Sequence, residues 1–383
     1  MEIHEYPFRV MLYTPLYFIL AAFSIKVLGL SLSAGRILSF LSSLISGFLL
    51  YLIIKTKTGD RRTAAFSSLL FFSLPHVLWW GPQFRPDMLA LLLSLLGIHL
   101  SLHEKYMLAI PVFLTAFYTK QTALAAPVGI FVSLLFKNRK QAFYFVFLFL
   151  FFLTTTFILI DFITNGKFSL NILYYNLMQP FSLSRSLMFA KEYLCLYGAL
   201  FVISFLTIRD ASLLSLYFFV SHLSILLMGR AGMTYNQWLE PLATLCLMVP
   251  ISYKKMNGNK LFTAFLILSQ LLFITHAIGF SPVFKPLPQC QSEIIYVKNF
   301  ENPMVVEGAY YPMMAGKEVL YNDIQVFTYL FEQGIWDASP LTKKCEKREL
   351  TLVWGETILK IPEVKECLET TYRKGPYGSY VRD

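Results

Sequence analysis

Long apolar runs, separated by short clusters of lysine and arginine, leave this chain few architectures. Runs of spanning length occupy 36–54, 63–80, 88–103, 142–160, 192–207, 211–228, 236–252 and 260–280. About 20 such residues, rising about 1.5 Å each as a helix, cross about 30 Å of hydrocarbon. Two shorter runs, 107–119 and 122–136, form a hairpin around Lys120 and Gln121 and bring the expected crossings to about ten. Only 15% of the 383 residues are charged and 56% are hydrophobic. An ordinary soluble domain carries about 25% charged residues, so that class is excluded. The fold expected is mostly α: a polytopic helical membrane domain over 1–280 and a small soluble α/β domain over 281–383.

The basic clusters set the orientation. "KTKTGDRR" (Lys55 to Arg62), Lys105, "KNRK" (Lys137 to Lys140), Arg209 and "KKMNGNK" (Lys254 to Lys260) all fall in one set of loops. That set is expected inside the cell by the positive-inside rule. The formal charge of +10 therefore speaks to membrane topology and anionic lipid. It does not point to nucleic acid, because the cations sit in short loops and form no single patch. The opposite loops, 81–87, 120–121, 161–191 and 229–235, face out, and with an even number of crossings so does the tail. A further apolar stretch, 14–30, would reverse this orientation if it crossed. It reads instead as a juxtamembrane helix in the outer interface, with Lys26 reaching to the headgroups. "MEIHEYPFRV" has acids and no apolar signal core, so a first transmembrane helix is expected upstream of Met1.

In the tail, "PMVVEGA", "ELTLVWG" and "YGSYVRD" read as short strands, and "VFTYLFEQG" and "EVKECLETTY" as helices. Cys290, Cys345 and Cys367 lie there, and two of them can pair outside the cytoplasm in a combination the sequence does not specify. Cys195 and Cys246 read as packing residues. No metal-binding spacing occurs. Trp336 and Trp354 read more readily as core than as carbohydrate contacts.

Charges at the outer ends of spans carry the chemistry. The helix 107–118 is about 18 Å long, shorter than the hydrocarbon, so Lys120 stops inside the membrane. Lys120 either snorkels outward or meets an anion such as a lipid phosphate. Asp87, after Pro86, suits a helix start; Arg85 and Arg36 fall on the same side. In "GRAGMTYNQWLEP" (Gly229 to Pro241), Arg230, Asn236 and Glu240 stand at the outer end of a span. Asn236 and Glu240, four apart, share a helical face, and a Glu240–Arg230 pair is the structural alternative. The 161–191 loop reads mainly as interfacial anchoring. Together these residues describe an outward-facing polar cavity lined by cations. Such a cavity suits an enzyme acting on a lipid phosphate, or a transporter or flippase for an anionic or lipid-linked saccharide. A transporter favours a midplane site and paired repeats. Polar residues gathered at one end favour the enzyme.

In order, "PFRVMLYTPLYFIL", "GRILSFLSSL", "RPDMLALLL", "YTKQTALAAP" and "GRAGMTYNQWLEP" resemble the GT-C integral-membrane glycosyltransferases. That superfamily includes the protein O-mannosyltransferases and the aminoarabinose transferase. "AYYPMMAGKEVLYNDIQVFTYLFEQGIWD" resembles the extracytoplasmic tail of some members, so the likeness covers nearly the whole chain. The resemblance implies transfer of a sugar from a polyprenyl phosphate to a lipid, glycan or protein acceptor at the outer face, with inversion at the anomeric carbon. It implies a juxtamembrane role for "YTPLY", an outward helix-start role for Asp87, a place near the donor phosphate for Lys120, and an outer-end role for Arg36. One departure stands out. The family's acidic residue in the first outer loop has no counterpart at the expected distance. Glu2 and Glu5 lie too close to "YTPLY". The base is then upstream, or Asp87 or Glu5 substitutes, or the chain is inactive as written.

The mechanism expected needs a carboxylate to take the acceptor's proton, cations to steady the departing phosphate, and a cavity to align the reactants. Asp87 and Glu5 are the catalytic candidates. Lys120, Arg85, Arg36, Arg230, Asn236 and Glu240 are the binding candidates. A divalent metal cofactor stays open, without a ligand set to argue for it.

Overall fold

In the computed structural model the described residues are 8–209, 212–256, 264, 267–272 and 288–382. The chain divides into two compact units. One gathers the described residues of 13–159 and 181–281; the other gathers those of 1–12, 160–180 and 282–383.

The larger unit is helical. Its elements run α1 Leu16–Leu28, α2 Leu32–Thr58, α3 Arg61–Ser73, α4 Pro75–Trp80, α5 Asp87–Leu102, α6 Tyr106–Thr119, α7 Ala125–Lys137, α8 Arg139–Ile163, α9 Leu183–Phe205, α10 Ser212–Leu223 and α11 Leu239–Lys255. By length and composition, α2, α8 and α9 can each cross a membrane. α8 exposes Phe143, Phe147, Phe151 and Phe162, a face suited to hydrocarbon and costly in water. The expected run 63–80 is split at Leu74, which is extended before Pro75; proline disfavours helical geometry in the residue before it. α9 starts at Leu183, nine residues before its apolar run, because the Ser182 side chain accepts from the Arg185 N–H and caps the helix. The run 211–228 tightens after α10 into the 3₁₀ turns Ser224–Gly229, and a short turn, Tyr235–Trp238, precedes α11. The run 260–280 lies largely outside the described residues.

Glycines allow helices to approach closely, as two positions illustrate. The face of α5 at Gly97 meets the Phe113 ring of α6, where a Cβ would collide. Gly129 of α7 faces the α10 backbone, with an ideal Cβ only 3.0 Å from Tyr217 Cα. α1 tucks Tyr17 against Leu89, Leu38 and Phe84, and Tyr17 Oη lies 3.0 Å from Ser39 Oγ. Lys26, on the same helix, is exposed. Between α2 and α3, Asp60 accepts from the Thr63 hydroxyl and from the Arg62 and Thr63 N–H groups, which holds its carboxyl below the usual range.

The smaller unit carries a four-stranded sheet in the order β1-β2-β4-β3: β1 Met304–Val306, β2 Leu352–Trp354, β3 Arg373–Lys374 and β4 Tyr380–Val381. β1 and β2 are parallel and the other pairs antiparallel. Its helices are α12 Pro288–Lys298, α13 Tyr310–Met314, α14 Ile324–Glu332, α15 Ser339–Glu346 and α16 Pro362–Thr371. Three strands and two helices fall where the alternating and amphipathic patterns place them. The two-residue β3 is too short to leave a pattern. Cys345 on α15 and Cys367 on α16 form a disulfide.

Residues 8–12 lie in this unit as a strap. The Phe8 N–H donates to Leu320 O at 3.1 Å, and the Val10 N–H to Asn322 Oδ1 at 3.0 Å. The Phe8 ring stacks on Tyr321 at 4.7 Å and meets Phe327 and Trp336 edge-on. Trp336 is thus a core residue, 2% exposed. The 160–180 segment joins the strap: the Met11 N–H donates to Asn171 Oδ1 at 2.8 Å, and Asn176 Nδ2 to Leu12 O at 3.0 Å.

Candidate active site

Three parts of the larger unit converge. Asp87 opens α5; Lys120 follows α6 in an extended conformation, φ −155° and ψ 116°; Asn236 and Gln237 lie in the turn before α11. Leaving the helix at Lys120 redirects its side chain toward α5. Lys120 Nζ donates to Asp87 Oδ1 at 2.6 Å and to Gln237 Oε1 at 3.0 Å. Asn236 Nδ2 donates to the same Asp87 oxygen at 2.7 Å, while its own Oδ1 accepts from Thr234 Oγ1 at 2.5 Å. Arg85 Nε donates to the second oxygen, Asp87 Oδ2, at 3.2 Å. Arg85 also donates to Tyr13 Oη at 3.0 Å and stands over the Trp80 ring at 5.4 Å.

The energetics follow from burial. The side chains of Asp87 and Lys120 are 3% and 8% exposed, against 33% for Arg85. A buried carboxylate loses several kcal/mol of hydration, on the order of what a close, well-bonded ion pair restores. Asp87 has two cations and an amide, and charge-assisted bonds of this kind are about twice as strong as neutral ones. Asp87, Arg85 and Lys120 together carry one net positive charge. Both Asp87 oxygens are engaged, so this carboxylate holds its partners in place before it does anything else. Lys120 is not snorkelling; it is buried and paired.

A cavity adjoins this cluster, lined by Asp87, Ser94, Lys120, Asn236, Gln237 and Glu240 among others. Its volume is about 40 Å³, room for about three waters at roughly 10–15 Å³ each. Glu240 Oε1 accepts from Tyr217 Oη at 2.9 Å. That bond replaces the Glu240–Arg230 pairing that the sequence allowed. Arg230 instead bridges the Phe181 backbone at the end of the 224–229 turns, half-buried. Arg36 sits in the second turn of α2, half-buried. Neither arginine is among the residues lining the cavity. Glu5 lies outside the described residues.

The structure thus brings together Arg85, Asp87, Lys120, Asn236 and Glu240. Sequence reasoning missed Gln237, Tyr217, Ser94 and Tyr13. Gln237 had one available signal, its place beside Asn236 in a polar pair at a span end. Tyr217 and Ser94 sit inside apolar runs and gave none. Among the described residues, no group of three His, Cys, Asp or Glu side chains is placed to hold a metal ion.

Residues 13–165 match the family described as dolichyl-phosphate-mannose-protein mannosyltransferase. That stretch contains Arg36, Arg85, Asp87 and Lys120 and ends before Asn236 and Glu240. Among solved structures, the chain is similar to ArnT from Cupriavidus metallidurans bound to undecaprenyl phosphate. The TM-score is 0.67 and the identity 12%, with 97% of this chain and 88% of that one covered. The apo form of the same ArnT gives a TM-score of 0.64 at 12% identity and the same coverage. No curated protein matches the sequence.

Proposed function

Because the chain carries the fold of the GT-C membrane glycosyltransferases, we propose that it transfers a sugar from a polyprenyl-phosphate carrier to an acceptor at the extracytoplasmic face of a cell membrane. The observation that carries this reading is the buried cluster of Asp87 with Lys120, Arg85 and Asn236. Its surplus positive charge suits a phosphate. The ammonium of Lys120 has three N–H groups and spends two of them on Asp87 and Gln237. The third is left for a phosphate oxygen. Arg85, the most exposed member, adds a second cation beside Asp87.

In this reading the C–O bond between sugar and phosphate breaks, its electron pair stays on the phosphate, and Lys120 and Arg85 steady that charge as it gathers. Asp87 is the pivot: it keeps both cations and Asn236 aimed, and orients the acceptor. The acceptor, whether lipid, glycan or protein, gives up its proton as its oxygen or nitrogen bonds the anomeric carbon, and the released phosphate, which has gained the electron pair, takes that proton. Two observations support the outward orientation. The basic loops gather on the opposite side, and the Cys345–Cys367 disulfide suits an oxidising compartment.

The test is equilibrium binding of undecaprenyl phosphate to the purified protein in nanodiscs. Lys120→Met should weaken binding at least about tenfold, since a hydrogen bond to a charged group is worth about 1.5–3 kcal/mol. Unchanged affinity in a folded variant removes the phosphate role. Vesicles that move a lipid-linked saccharide across the bilayer without forming a new glycosidic bond would make the protein a transporter.

A further inference from the structure

Glu240 is the cavity carboxylate that the phosphate reading leaves unused. Asp87 already accepts three bonds, from Lys120 and Asn236 through Oδ1 and from Arg85 through Oδ2. Glu240 accepts one bond with hydrogen-bond geometry, from Tyr217 through Oε1. It lines the cavity and stays half-buried, whereas Asp87, Lys120 and Asn236 are buried. Beside it stands the Ser94 hydroxyl, fully buried and without a well-formed hydrogen bond of its own. Ser94 lies seven residues after Asp87 on α5, about 10 Å further along the helix at about 1.5 Å per residue. Arg85 and Asp87 therefore stand at one end of the site, and Glu240 with Ser94 at the other.

The chemistry of the two ends differs. The Glu240 end offers a carboxylate, hydroxyls from Ser94 and Ser224, and the amide of Gln237, groups that exchange hydrogen bonds with hydroxyls. The cavity as a whole, about 40 Å³, has room for hydroxyl groups displacing waters rather than for a whole ring. We propose that Glu240 is the residue that recognises the sugar: its carboxylate accepts hydrogen bonds from hydroxyl groups of the transferred residue while the carrier phosphate stays at Lys120 and Arg85. This rests on the glycosyltransferase reading and adds the division of the site into a phosphate end and a sugar end.

The experiment compares binding of undecaprenyl phosphate with binding of undecaprenyl phosphate bearing a neutral hexose, a neutral pentose or an amino sugar. The full-length protein is held in nanodiscs, and the tightest glycosylated carrier is carried forward. Glu240→Gln should weaken that carrier by about 10- to 100-fold and change the bare carrier by less than about twofold. Carriers lacking single sugar hydroxyls add a readout that a structural role would not move. One deoxy carrier should bind the native protein poorly, yet bind Glu240→Gln no worse than its fully hydroxylated parent does. Equal losses for bare and glycosylated carriers, or no loss for either, overturn the proposal. If Glu240→Gln melts at low temperature, Tyr217→Phe decides. It unfastens the Glu240 carboxylate without removing it, and should weaken the glycosylated carrier alone; native affinity for both carriers overturns the proposal. A native protein that binds neither carrier instead overturns the polyprenyl-phosphate reading itself.

Discussion

The charge balance at Asp87 makes the cluster sensitive to single atoms. Asp87→Asn leaves Lys120 and Arg85 facing an amide, and removing one partner of a buried ion pair costs about 3–5 kcal/mol. A large drop in melting temperature and loss of sugar transfer are the expected results. A variant that melts and turns over as the native protein does would reduce Asp87 to a helix-starting residue. Asn236→Ala keeps all the charges and removes one bond to Asp87. It should cost about 1–3 kcal/mol and weaken binding of the carrier less than Lys120→Met does. The chemistry of these residues was legible from the sequence, because ionisable groups at span ends are expensive and few. Their pairing was not. Asp87 and Asn236 are 149 positions apart, and Lys120 and Gln237 are 117 apart; hydropathy carries no information on which span ends meet.

Among the elements, the long apolar runs announced α2 and α8, and the short 107–119 run announced α6. The break before Pro75 and the early start of α9 escaped that reading. Hydropathy weighs side chains over a window, while both features are set by one backbone position, Leu74 in the first case and the Ser182 cap in the second. Packing between elements was also hidden. Gly129 brings α7 against the backbone of α10 at Tyr217, and Tyr217 in turn bonds Glu240 on α11. Gly129→Val would force these helices apart, and overpacking of this kind costs about 1–3 kcal/mol. Thermal melting should show that loss, with Glu240-dependent binding weakened alongside it. A variant with native stability would mean that α10 shifts freely.

For the whole molecule, the prediction concerns sidedness and the disulfide. The Cys345–Cys367 bridge closes a loop with a sequence separation of 22, and loops of about that length contribute about 3 kcal/mol by restricting the unfolded chain. Reduction should therefore lower the melting transition of the smaller unit. Once reduced in intact cells, these thiols should react with a membrane-impermeant reagent; labelling only after lysis would place the tail inside.

The Phe8–Leu12 strap bears on how the protein is made. Val10 waits for Asn322, 312 positions later. At about 5–20 residues per second, a ribosome needs roughly 15–60 s to deliver that partner. Until then the strap has only the 160–180 segment to settle against, and the Phe8 ring lacks Tyr321, Phe327 and Trp336. A nascent chain cut short before residue 320 would leave its Phe8–Leu12 segment open to proteases and chaperones, however well its helices have inserted.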